Sequence, residues 1–217
     1  METSSDSVIQ SFNDAADWLV ALVAVVPASA WDAPGLGEWT VRDLVGHVGR
    51  ALSTVVEYHS SQLGEPELHS PSDYYRNLTL SGPGAAELNA SVAERGRLAG
   101  AELGDDPVAS VTALRDTAVA LVNDSDPDSL CSSRGGSMRL RDYLPTRTLE
   151  LVIHGLDLDR ALRNVGVADV PSVPGDALSQ TLHLLADVAT VRGSVNASAL
   201  VMAMTGRGGL PQEYSVL

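Results

Sequence analysis

The chain has 217 residues, with 28 acidic against 14 basic side chains and a formal net charge of −14 at pH 7. So acidic a surface repels phosphate backbones, which argues against nucleic acid as the main partner. All 14 basic residues are arginine, so Schiff-base chemistry, a P-loop lysine and a lysine general base are excluded as well.

The single cysteine, Cys131, can form neither an intramolecular disulfide nor a thiolate metal cage, which fits a reducing cytoplasm. The start, Met1 to Asp6, is acidic and polar where a secretory signal is basic and then apolar, and no apolar run reaches membrane-spanning length. A soluble cytoplasmic protein without a membrane partner is expected. Hydrophobic residues make up 44% of the chain but aromatics only 4%. A core of Ala, Val and Leu suits close helix packing, so the expected fold class is mainly all-α.

In chain order, Phe12, Ala16, Leu19, Val23 and Val26 recur at three- and four-residue spacing, predicting an amphipathic helix from Ser7 to Val26 that Pro27 stops. A Pro-, Gly- and Trp-rich loop follows to Trp39. Thr40 and Asp43 then read as a capping box opening a second helix, predicted to run through Leu63. Gly64 to Pro83, with three prolines and the pair Tyr74-Tyr75, reads as a long crossover loop. Ala85 to Leu103 has helical composition, and Asp106-Pro107 supplies a cap and first-turn proline for a helix to Asn123. Asp124 to Ser137 is turn chemistry with a short extended piece near Leu130. The last long helix is predicted from Leu140 to Arg163, with Pro145 marking a kink or a late start. After a linker, Val167 to Pro174, two further helices are predicted at Gly175 to Val191 and Asn196 to Met204.

On a wheel at about 100° per residue, the helix from Leu140 carries one apolar stripe of Leu149, Val152, Ile153 and Leu156, and a second of Leu151, Leu158 and Leu162. Between them runs a polar seam of Tyr143, Arg147, Glu150, His154 and Asp157. A seam flanked by apolar stripes faces the interior or a cleft, where charge must be paired or hold a metal. Glu150 and His154, four apart, stack on successive turns and reach one point in space, either as metal ligands or as a carboxylate–histidine hydrogen bond. A third ligand is best supplied by His47, at the edge of the apolar face of the second helix and flanked by Gly46 and Gly49. Mid-helix glycines are costly and imply close approach of something to the backbone. Two imidazoles and a carboxylate make a three-ligand site with open positions, suited to zinc, with iron(II) or another divalent metal possible on residue chemistry alone.

The stretch Gly35-Leu36-Gly37-Glu38-Trp39-Thr40-Val41-Arg42-Asp43-Leu44-Val45-Gly46-His47, taken with Thr146 to Leu158, resembles the mycothiol-dependent maleylpyruvate isomerase family of the DinB-like superfamily. The resemblance implies a DinB-like four-helix bundle with long crossover loops over residues 1–165. It also implies that residues 166–217 form a short helical or α/β appendage akin to the family's carboxy-terminal domain. It implies zinc on His47, Glu150 and His154, mycothiol as thiol cosubstrate, and a catalytic role for Arg207. The thiol would be held as a thiolate and added to an electrophilic or anionic small molecule. The outcome would be maleylpyruvate cis–trans isomerisation if sulfur leaves again, or mycothiol S-transfer if it stays.

Of the remaining seam residues, Arg147 is expected to dock a substrate carboxylate or to pair with an acid such as Asp43. Asp157 is expected to orient His154 or bind the thiol cofactor, with capping or solvent exposure as its plain alternative. Tyr143 is read as an acid or a wall of the pocket, and Trp39 as a packing residue. His59, His69 and His183 have no partner at metal-ligand spacing and read as surface or packing residues. Cys131 reads as an incidental thiol. A different class of function also fits the residues, a binding or regulatory bundle whose metal is structural or lost. The assembly is expected to be a monomer or a homodimer.

Overall fold

The computed structural model describes residues 4–60, 64–78, 85–192, 194–212 and 214–217. Among them are eight α-helices and two small antiparallel sheets, and the fold is mainly α-helical.

Helix α1 (Ser5–Ala24) is capped by the Ser4 hydroxyl, which accepts from the Ser7 amide at 3.3 Å, and it buries Phe12, Trp18, Leu19 and Leu22. The loop after Pro27 is more ordered than composition implied. It holds a 3-10 turn (Ala28–Ala30) and a small hairpin of β1 (Pro34–Leu36) and β2 (Trp39–Thr40). Helix α2 (Val41–Tyr58) opens on the expected capping box: Thr40 Oγ1 accepts from the Asp43 amide at 3.1 Å and Asp43 Oδ2 accepts from the Thr40 amide at 3.0 Å.

Helix α2 stops at Tyr58 and not at Leu63. His59 turns extended, with ψ 139°, and β3 (His59–Ser60) pairs with β4 (Leu130–Ser133). Residues 61–63, the rest of the predicted helix, lie outside the described residues, as do residues 79–84 of the predicted crossover loop. That loop also carries a helix, α3 (Pro71–Asn77). The Ser70 hydroxyl caps it and Pro71 occupies its first turn, both ordinary helix-start signals hidden in a segment too short to show periodicity.

Helices α4 (Ala85–Glu102) and α5 (Pro107–Asp124) fall where predicted, α5 on its Asp106 cap. The turn-rich stretch that follows is a hairpin, β4 with β5 (Gly136–Arg139), joined by Arg134-Gly135; Gly136 takes φ +133°, which a side chain would resist. Helix α6 (Leu140–Asn164) runs through Pro145, and α7 (Gly175–Arg192) and α8 (Ser194–Met204) follow.

The bundle is a ring in which α1 packs on α5 and α6, and α2 packs on the same two. Helix α4 lies across α2, while α7 sits on α6, α3 and α1 and adds Ala177, Leu184 and Val188 to the common core. Each fully buried Leu or Phe contributes about 1.5–3 kcal/mol, so the many buried aliphatics offset the scarcity of aromatics. One stripe residue departs from the wheel: Leu156 is 42% exposed.

The three-stranded sheet positions the polar seam. It joins the end of α2 to the start of α6, so the two helices run antiparallel away from a common level. At about 1.5 Å per residue, His47 lies about 18 Å from the sheet along α2, and Glu150 and His154 lie about 15 and 21 Å along α6. The three side chains are thus brought to one height.

Candidate metal centre

The donor atoms of His47, Glu150 and His154 all lie within 4.8 Å of one another. The imidazoles of His47 and His154 meet edge to face at 4.7 Å between centroids, and His154 Nε2 is 3.5 Å from Glu150 Oε2. Helix glycines hold the supporting helices close. A Cβ on Gly46 would fall 2.2 Å from the Gly100 amide nitrogen of α4, and one on Gly155 would fall 2.3 Å from the Trp18 ring. The close approach read from Gly46 is therefore that of α4. Gly49 meets only the Leu114 side chain, at an ordinary 3.4 Å.

Around the three donors, His154 and Glu150 have defined polar neighbours and His47 has a ring packed against it. His154 Nδ1 lies 3.1 Å from Asp157 Oδ2. A carboxylate only accepts, so Nδ1 carries the proton and Nε2 faces the other two donors. Tyr75 donates from its hydroxyl to Glu150 Oε1 at 3.4 Å. Trp39 packs against the His47 ring at 4.5 Å and donates from Nε1 to the Ala93 carbonyl, the packing role expected of it.

The protonation tendencies follow from these neighbours. Burial and the adjacent His154 bring His47 down to about 4. Burial opposes charge on His154 too, but hydrogen bonds to Asp157 and Glu150 prevail and hold it at about 9. Glu150, despite burial, is kept down at about 2 by His154 and Arg147. Without a cation the centre is thus an imidazolium–carboxylate pair beside a neutral imidazole.

The donor set fits a divalent metal. Ligands about 2 Å from a tetrahedral ion stand about 3.3 Å apart, close to the 3.5 Å between His154 and Glu150. Asp157 fixes the tautomer that leaves Nε2 as the ligand atom.

The centre lies in a cleft of about 310 Å³ between α2, α4, α6 and the β4–β5 turn. Arg147 lines it too. This guanidinium is only 7% exposed, stands over the Tyr143 and Tyr74 rings at 4.9 and 5.4 Å, and donates from Nε to Thr146 Oγ1 at 3.1 Å. Among the described residues no carboxylate lies within ion-pair distance of it, and Asp43, the expected alternative partner, is engaged in the α2 cap. Tyr143 is fully buried behind Arg147, and burial pushes its phenol well above the usual range.

A family model described as the mycothiol maleylpyruvate isomerase N-terminal domain matches residues 12–159. The chain belongs to this family. Comparison with curated proteins and with solved structures returned no match. The matched span contains His47, Tyr143, Arg147, Glu150, His154 and Asp157, while Arg207 lies beyond it.

Arg207 follows α8, is exposed, and directs Nη1 toward the Thr205 carbonyl at 3.5 Å. It is not among the residues that line the cleft. Of the other histidines, His59 bonds Ser129 Oγ at 2.9 Å, and His69 and His183 line a separate polar cleft between α1, α3, α6 and α7. Cys131 is buried, with its thiol pushed up to about 12. No helix among the described residues is long and apolar enough to cross a membrane.

Three further arginines line the cleft beyond the predicted site residues. Arg50, one turn after His47 on the same helix, carried a readable signal in its spacing. Arg95 and Arg134 come from distant segments and carried none.

Proposed function

We propose that the chain is a metal-dependent enzyme that uses a low-molecular-weight thiol, mycothiol, to attack an electrophilic small anion. One observation carries this reading: two imidazoles and a carboxylate converge in a cleft that also presents a buried guanidinium with no carboxylate within ion-pair distance among the described residues. When bound, the metal, zinc by the donor set, supplies a Lewis acid that lets a thiol ionise near neutral pH.

The residues of the chain divide the remaining work. His47, Glu150 and His154 hold the metal, and Asp157 keeps the His154 Nδ1–H in place so that Nε2 stays available. Arg147 takes a carboxylate of the substrate. As the sulfur–carbon bond forms, negative charge spreads toward that carboxylate and the guanidinium stabilises it in a water-poor site. Val48, Ala51, Leu78 and Val92 supply apolar wall that limits water. Cys131 takes no part, so the nucleophile comes from outside the chain.

The adduct has two fates. Rotation about the new single bond followed by loss of sulfur gives a trans isomer, as for maleylpyruvate; protonation of the adjacent carbon with sulfur retained gives a thioether. The position of Arg207 outside the cleft favours the second, S-transfer.

The test begins with metal content. Stoichiometric metal in the purified protein, lost in His47→Ala, supports the reading; a metal-free chain whose stability is unchanged by that substitution defeats it. The metal form incubated with mycothiol and either maleylpyruvate or a generic electrophile then distinguishes trans isomer from thioether.

A further inference from the structure

Ten of the 14 arginines lie outside the catalytic cleft, and among the described residues most of those meet an acid or a carbonyl. Arg76 meets Asp73, Arg97 meets Glu38, Arg115 meets Asp17, and Arg163 meets Asp159. The other four line the one small cleft that holds the metal donors, against a single lining carboxylate, Glu150. In a chain of net charge −14 this is a local reversal of sign.

Three of the four line the cleft together with Arg147 but come from separate elements. Arg50 stands one turn beyond His47 on α2. Arg95 is delivered by α4, whose Gly100 packs backbone to backbone against Gly46 and the Asp43 Cα. Arg134 sits at the tip of the β4–β5 turn, exposed. That turn is pinned where Asn77 Nδ2 donates to the Gly135 carbonyl at 3.2 Å, and where a Cβ on Gly135 would press on Tyr74 at 3.0 Å.

Among the described residues neither Arg95 nor Arg134 has a carboxylate within ion-pair distance, and Arg50 reaches only Glu57 at the 4.0 Å limit. Burial and the neighbouring Arg134 and Arg50 lower the Arg95 pKa, so the guanidinia are near enough to repel. Such a rim is unfavourable when empty. One carboxylate, with a single charge, leaves most of it uncompensated, whereas a phosphate dianion offers three terminal oxygens to three planar forks.

We propose that Arg50, Arg95 and Arg134 form a receptor for a phosphate monoester at the mouth of the cleft, so that the electrophile processed here carries a phosphoryl group. The proposal rests on the reading of this cleft as the reaction pocket, but the binding event itself needs neither metal nor thiol.

That independence sets the experiment: calorimetric titration of the full chain at pH 8 and low salt, as purified and again after dialysis against a chelator. Phenyl phosphate is the probe and benzoate the control for the Arg147 carboxylate site. Expected are binding of phenyl phosphate at least tenfold tighter than benzoate, an affinity unchanged within about twofold by chelation, and a loss of at least fivefold in Arg134→Gln and in Arg95→Gln. Equal affinity for the two probes overturns the proposal, as does an affinity unmoved in Arg134→Gln. Binding that disappears with the metal also overturns it, since the phosphate is then a metal ligand. Arg134 is exposed at a turn, so Arg134→Gln decides the matter even if Arg95→Gln fails to fold. Phosphate binding in a protein that holds no metal sinks the thiol chemistry and leaves the receptor standing; the opposite pattern does the reverse.

Discussion

His154 donates from Nδ1 to Asp157 at 3.1 Å, and this one bond decides which nitrogen of the ring faces Glu150 and His47. Asp157 itself is held by Arg160 one turn on. Loss of such an outer acceptor costs metal sites about 10–100-fold in affinity. Asp157→Ala is therefore expected to weaken metal binding by about that factor, measured by chelator competition, while the helical circular dichroism stays that of the parent. An unchanged affinity would show that Asp157 only caps a surface pair.

The same bond sets a pH dependence in the metal-free protein. His154 is raised in the folded state to about 9 from 6.5, so its contribution to stability is fully present below pH 6.5 and is lost as pH rises through 9. His47 is lowered to about 4; its contribution is present above pH 6.5 and is lost as pH falls toward 4. The thermal midpoint of chelated protein should thus decline between pH 7 and 9.5 and again below 6. With metal bound, His154 is already deprotonated, so the alkaline decline should vanish and metal uptake at pH 7.5 should release about one proton. Titration in buffers of different ionisation enthalpy measures that proton directly.

Gly46 carries the crossing of α2 and α4. A methyl group there would sit 2.2 Å from one backbone nitrogen and 2.5 Å from the Ala99 carbonyl carbon, neither of which can rotate away. Gly46→Ala should force the helices apart, destabilise the fold by about 1–3 kcal/mol or more, and lower metal affinity because His47 is the next residue. Gly49→Ala, with only a leucine methyl at 3.4 Å, should be neutral or mildly stabilising by helix propensity. Chemical denaturation of the pair separates a crossing contact from a general intolerance of side chains on α2.

The centre was legible because its parts repeat on helical spacing. Glu150 to His154 is one turn, Asp157 is the next, and the capping box at Thr40 fixed where the helix bearing His47 begins. The rest required the third dimension. Arg95 and Arg134 lie 45 and 84 residues along the chain from Arg50, and only the α2–α4 crossing and the β4–β5 turn bring them together. Helix α2 ends before its predicted limit because His59 and Ser60 leave the helix to pair with Leu130 and Cys131, a partner more than sixty residues away that local propensity does not register. Helix α3 is hidden in the sequence although Ser70 and Pro71 mark its start, since its seven residues are too few to display a period.

Cys131 provides a check on where the nucleophile originates. It is buried in the core beside Met138 on the sheet, and burial holds its thiol at about 12, far from the thiolate needed for reaction at neutral pH. Thiol reagents at pH 8 should leave the native protein unlabelled over hours and label it stoichiometrically in denaturant. Rapid native labelling accompanied by loss of activity would return the nucleophile to the chain and remove the need for an external thiol.

Arg147 distinguishes a binding residue from a structural one by the sign of a stability change. Its guanidinium is desolvated with no carboxylate within ion-pair distance among the described residues, a penalty of several kcal/mol, against which Glu150 acts only at longer range and the two tyrosine faces return about 0.5–2 kcal/mol each. Arg147→Met keeps an unbranched stem between those rings and removes the charge. If the arginine is held for substrate, the variant should unfold at the same temperature as the parent or higher. Its KM for an anionic electrophile should rise at least tenfold, while turnover of a neutral electrophile changes little. A fall in the unfolding midpoint together with equal losses toward both electrophiles would mean that Arg147 holds the core together and that the anion is received elsewhere in the cleft.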